Sequence, residues 1–114
     1  MYICMSVHLV KEKTVRYFAR MNPQSQRPIQ YWLSVVKIAA WKEPADILKD
    51  FSSADLLGKG SSRVVFDLGG NNYRLIAHYS FGRKQTHLFI CWIGTHAAYT
   101  ELCRQNKQYS ISLY

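Results

Sequence analysis

The residues best equipped for chemistry lie in the second half of the chain. His96 follows Gly94 and Thr95, and histidine is the side chain that exchanges protons near neutral pH. Tyr99 comes three residues later, on the same face of any helix that starts there. Arg74 carries a guanidinium, whose planar fork grips a phosphate bidentately. Such a set suits phosphodiester chemistry. RNA can be cut without a metal when its own 2′-hydroxyl attacks the adjacent phosphate. The protein then supplies a base for that hydroxyl, a cation for the charge on phosphorus, and an acid for the leaving 5′-oxygen. The expected catalytic set is His96, Arg74 and Tyr99. Arg63, Asn71, Asn72, His78, Arg83, Lys84 and Thr95 are the expected RNA contacts.

Each of these residues also has a plainer reading. Arg74 is placed to pair with Asp67 across a hairpin. Thr95 is a natural helix N-cap. Asn71 and Asn72 read as turn residues that tolerate positive φ. Arg83 and Lys84 are a charged loop tip, and Tyr73 and Trp92 read as core. Metal chemistry has less support. His87 and Cys91 stand four apart on a strand, too far to chelate one ion, and no acid cluster joins them, so no metal and no cofactor is expected. Gly69-Gly70 lacks the spacing of a phosphate loop.

Composition narrows the class. The 114 residues fit one domain, 1–114, and the 48% apolar content argues against disorder. Fifteen Lys and Arg face seven Asp and Glu, a formal net charge of +8, which points to a polyanionic partner. Four of the seven acids (Glu43, Asp46, Asp50, Asp55) fall in one short segment, and none lies between Leu68 and Thr100. No apolar run is long enough to span a bilayer, and Met1–Val10 lacks the basic start and cleavage site of a signal peptide. The odd set Cys4, Cys91 and Cys103 reads as reduced thiols. A cytoplasmic protein without membrane contact is expected.

The elements that must position these residues follow from periodicity. Ser6–Val10 reads as a strand and Lys11–Met21 as a short helix with Val15, Phe18 and Ala19 on one side. Asn22, Pro23 and Pro28 punctuate the chain, and a stronger helix follows, with Ile29, Trp32, Leu33, Val36 and Ala40 at helical spacing. Pro44 breaks it, Ala45–Phe51 adds a turn or two, and Leu56–Ser62 reads as a loop. Arg63–Leu68, Tyr73–Ser80 and Thr86–Ile93 read as strands joined by short turns, hence antiparallel. A last helix covers His96–Arg104. The expected fold is α+β: an antiparallel sheet in the order β-α-α-β-β-β-α, with two N-terminal helices on one face. Alternation puts Leu75, Ala77 and Tyr79 under the helices, and Arg74, Ile76, His78 and Ser80 on the open face.

Three runs carry a family resemblance. Residues 63–77 (RVVFDLGGNNYRLIA) resemble the RVVFN-x-GGNKYRLI core of the HigB-type branch of the RelE-like toxins. Residues 93–99 (IGTHAAY) resemble its VGTHAEYD ending, and residues 40–46 (AWKEPAD) are similar to the segment after its second helix. The resemblance runs from about Ser6 to Leu102 in order. It implies a RelE-like fold and a ribosome-associated mRNA interferase, the toxin of a type II toxin–antitoxin pair. It further implies messenger RNA on the ribosome as substrate and a HigA-like helix-turn-helix antitoxin as partner, with operator DNA met only through that antitoxin. Ala98 and Thr100 stand where the family has Glu and Asp, which removes negative charge beside His96. Residues 1–5 look like an extension, with Met5 as a second candidate start, and residues 105–114 have no counterpart. The competing function is a non-catalytic basic RNA- or ribosome-binding module, which needs the positive charge but neither His96 nor Arg74.

Overall fold

β4 (Tyr73–Phe81) and β5 (Gln85–Thr95) are the longest strands of the computed structural model, which describes residues 6–113. They are rich in β-branched and aromatic residues and are joined by a turn too short for anything but a hairpin. β3 (Arg63–Leu68) pairs antiparallel with β4 in the register Asp67↔Arg74 and Leu68↔Tyr73. The turn between them places Gly69 and Gly70 at φ of 63° and 65°, the left-handed region. Asn71 and Asn72 do not carry the positive φ expected of them, because the two glycines take those positions at lower steric cost. The extension at 1–5, with Met5 and Cys4, lies outside the described residues.

β1 (Ser6–Val10) lies on the far side of β5 and runs parallel to it, His8 opposite His87 and Val10 opposite Phe89. The sheet is antiparallel as expected except at this pair. The helices and the β2–β3–β4 meander separate β1 from β5 in the chain, so no tight turn links the two and parallel pairing is open to them. β2 (Asp55–Leu57) pairs antiparallel with β3 inside the segment expected to be loop. Three residues are too few to show an alternation in sequence. The sheet order is β1-β5-β4-β3-β2, so among the described residues five strands replace the four expected.

The helices α1 (Glu12–Met21), α2 (Gln26–Ile38) and α3 (Pro44–Asp50) supply one face of the main core. Val15, Ile29, Trp32, Val36 and Ile47 pack on Phe66, Leu75, Ala77, Leu88 and Ile90. Pro28 does not precede α2 but sits in its first turn, where the missing N–H has no intrahelical acceptor to lose. Likewise Pro44 opens α3, with Glu43 and Asp46 forming a capping box. The Lys42 backbone N–H bonded to Asp46 Oδ2 at 2.8 Å lowers that carboxyl's pKa, with desolvation opposing.

The second face of the sheet is not open throughout, as alternation alone predicted. A β-bulge between Ile76 and Ala77 opposes them to Trp92 and Ile90, leaving Cys91 as the extra residue. Cys91 and Trp92 thereby join Val65, Ile76 and Leu102 in a smaller core, with Leu57, Tyr99 and Ile111 packed against it. α4 (His96–Arg104) supplies Leu102 and Tyr99. Asn106, at φ 57°, ends that helix with the Lys107 N–H donated to the Leu102 carbonyl at 3.0 Å. The chain beyond then folds back over the sheet: Leu113 N–H donates to the Cys91 carbonyl at 3.0 Å.

Candidate active site

The junction of β5 and α4 holds His96. Thr95 is the N-cap, and its Oγ1 accepts the Ala98 N–H at 3.1 Å. The His96 backbone N–H donates to the Asn72 carbonyl at 3.0 Å. The helix start is therefore tied to the β3–β4 turn, and the His96 side chain stands exposed above both. The first turn of a helix favours an anion, so a phosphate beside His96 meets a matching field. Asn71 and Asn72 are exposed on the same turn.

Arg74 stiffens that turn from within. Its Nε pairs with Asp67 Oδ1 at 3.0 Å, while Nη1 donates to the carbonyls of Tyr73 (3.0 Å) and Gly70 (3.3 Å). Nη2 donates to Asn71 Oδ1 at 3.1 Å. The side chain is buried, so the plainer pairing with Asp67 is the one present in the structure. The cation nonetheless lies within electrostatic reach of Tyr99, whose ionisation its charge favours.

Tyr99 is half-buried against Trp92, ring centroids 6.2 Å apart. Burial pushes its phenol well above the ordinary tyrosine range. Cys103 beside it and the Asp55 carboxylate push the same way, against Arg74. Tyr99 therefore stays a neutral hydrogen-bond donor and is unsuited to act as a base. Gly94 makes room for this arrangement: a Cβ there would lie 2.6 Å from the Trp92 indole.

The remaining expected contacts lie elsewhere. Arg63 is buried, and its Nη1 donates to the carbonyls of Ile111 (2.6 Å) and Gln108 (3.2 Å), clasping the C-terminal tail. Arg83 and Lys84 are in the turn at the opposite end of the β4–β5 ladder, where Phe81 faces Thr86, and His78 pairs with Phe89 along its length, whereas Tyr73 faces Thr95 at the His96 end. The structure thus brings together Asn71, Asn72, Arg74, Thr95, His96 and Tyr99, and sets Arg63, His78, Arg83 and Lys84 apart from them. Asp55 and Trp92 are neighbours of Tyr99 that the sequence did not nominate. Asp55 sits on β2, whose three residues gave no period to read. Trp92 reads as core and is core, and the bulge at Cys91 turns it toward the second face beside Tyr99. Among the described residues, no three His, Cys, Asp or Glu side chains cluster to hold a metal ion. Nor, among the described residues, is any helix long and apolar enough to cross a membrane.

Comparison with known proteins adds to this geometry. A family model described as HigB_toxin, RelE-like toxic component of a toxin-antitoxin system, matches residues 25–102. The chain is also similar to the mRNA interferase HigB of Escherichia coli O6:H1 (strain CFT073). The two are 26% identical over 102 residues, covering 90% of this chain and 97% of that relative.

Proposed function

The chain belongs to the HigB toxin family, RelE-like toxic components of toxin–antitoxin systems, and from that premise we propose that it is an endoribonuclease cutting messenger RNA on the ribosome by metal-independent acid–base chemistry. The observation that carries this reading is His96, exposed at a helix N-terminus whose backbone is held by Thr95 Oγ1 accepting from Ala98 and by the Asn72 carbonyl accepting its own N–H. The relative named as an mRNA interferase supports the reaction class.

In the proposed step a 2′-hydroxyl oxygen of the RNA attacks the adjacent phosphorus. Its proton passes to His96, and the bond from phosphorus to the 5′-oxygen breaks. The products are a 2′,3′-cyclic phosphate and a 5′-hydroxyl, to whose oxygen the protonated His96 returns the proton that it took. The neutral Tyr99 phenol donates a hydrogen bond to a phosphate oxygen. The α4 N-terminus and the Arg74 charge stabilise the added negative charge on the phosphorane. An antitoxin partner follows from the family; that it is HigA-like, carries a helix-turn-helix and alone meets operator DNA belongs to this proposal, as does a cytoplasmic location.

The engagement of Arg74 by Asp67, Gly70, Tyr73 and Asn71 favours a second reading, a basic RNA-binding module without cleavage. Substrate chemistry separates the two. On programmed ribosomes, a messenger carrying a single 2′-deoxy or 2′-O-methyl sugar at the cut site should bind but stay whole, while the all-ribose messenger is cut. Equal cutting of both would remove the 2′-hydroxyl as nucleophile, and no cutting of either would leave the binding module.

A further inference from the structure

Four rings form an unbroken strip on the sheet face at the end away from His96. His8 and His87, register partners across β1 and β5, have centroids 5.4 Å apart with Nδ1 atoms at 3.3 Å. His87 stands 6.1 Å from Phe89, and Phe89 stands 6.0 Å from His78 on β4. Alternation puts all four on the face opposite the helices, since Val7, Leu9, Ala77, Leu88 and Ile90 take the other side. Phe89 is 38% exposed and His8 is exposed at the other end of the strip, so ring surface is open to solvent here. Neither the main core nor the smaller one includes any of the four.

The surroundings are cationic. Arg83 and Lys84 are exposed on the hairpin that starts β5. Lys11, exposed at the end of β1, lies close enough for its charge to favour ionisation of the Cys91 thiol, which burial opposes. β1, the outer half of β4 and all of β5 contain no Asp or Glu. Imidazole and phenyl faces offer flat stacking surface, and the imidazole edges add hydrogen-bonding nitrogens. The Glu12 carboxylate, which lines a cavity together with His8, is paired with Arg16 at 2.6 Å. A row of rings bordered by cations is the pattern that holds unpaired bases while cations follow the backbone.

We propose that His8, His87, Phe89 and His78 form a stacking site for bases of single-stranded RNA, separate from the His96 site. At about 3.3 Å per residue along β5, the strip starts roughly 20 Å from His96 at Phe89 and extends to about 30 Å at His87. It rests on the reading of this chain as an RNA-acting protein, but it concerns grip rather than cleavage. A strand held there reaches His96 only after crossing the middle of the sheet, so the strip sets which phosphate arrives at the imidazole.

Binding of the purified chain to a short fluorescent 2′-O-methyl oligoribonucleotide tests this without any cleavage. Phe89 is exposed, so its variants should fold, and Phe89→Leu keeps bulk while removing the ring. Phe89→Leu and His87→Ala should each weaken binding about tenfold, Phe89→Trp should retain it, and an abasic strand of equal length should bind all four chains equally weakly. Unchanged affinity in Phe89→Leu, or no binding by the wild-type chain, overturns the strip and leaves the cleavage reading intact. Lost affinity in a chain that never cuts an all-ribose messenger keeps the strip and removes the nuclease. Unchanged RNA affinity with loss of copurifying antitoxin would give this face to the antitoxin and overturn the proposal.

Discussion

Arg74 gives its guanidinium to Asp67, to two carbonyls and to Asn71, so its first consequence is for stability. Removing it strands a partly buried carboxylate and frees the turn that anchors His96. Arg74→Ala should therefore lower unfolding free energy by about 2–3 kcal/mol, discounted from the fully buried case because Asp67 retains some solvent. Urea unfolding reads this directly, and a double substitution with Asp67→Ala should cost less than the two single changes added together. Wild-type stability in Arg74→Ala would show that the pairing contributes nothing and release the residue for catalysis alone. Tyr99 makes a prediction about pH. Burial, then Cys103 and Asp55, favour its neutral form in the folded chain. Its contribution is fully present below the ordinary tyrosine value of about 10 and is lost as pH rises toward the raised folded value. Melting temperature should fall more steeply above pH ~10 for the wild-type chain than for Tyr99→Phe; parallel profiles would contradict that burial.

At the scale of elements, the β5–α4 junction decides where His96 points. Gly94 lets the Trp92 indole lie against the strand, and Trp92 in turn supports Tyr99. Gly94→Ala forces the indole to move and should destabilise the chain by about 1–3 kcal/mol, the usual cost of overpacking. Loss of near-ultraviolet circular dichroism from Trp92 would accompany it; an unshifted melt and spectrum would show that the indole yields freely. Much of this element was legible beforehand. β3 and α4 have the expected limits because β-branched runs and the Thr95 cap mark their ends in sequence. Other parts were not. The bulge at Cys91 obeys a register set by the partner strand, which no local pattern contains. β2 is too short for a period, and the parallel placement of β1 is a long-range choice. The burial of Arg63 was hidden because its acceptors, the Gln108 and Ile111 carbonyls, belong to a tail whose path is not written in hydrophobic spacing.

For the whole molecule, the exposed cations Arg83 and Lys84 lie at one end of the β4–β5 hairpin and His96 at the other. A net charge of +8 on 114 residues draws RNA to the surface, and position on the sheet then separates grip from chemistry. The family makes growth arrest the expected consequence of producing the chain without its antitoxin. The most direct measurement of the central claim is mapping of messenger 5′ ends in cells induced to make either the wild-type chain or His96→Ala, at matched soluble protein. General acid–base catalysis contributes about a hundred- to ten-thousandfold in rate. The wild-type chain should arrest growth and leave new messenger ends, while His96→Ala should still associate with ribosomes but allow growth and leave messengers whole. Fresh messenger ends and arrest from His96→Ala equal to wild type would contradict the account.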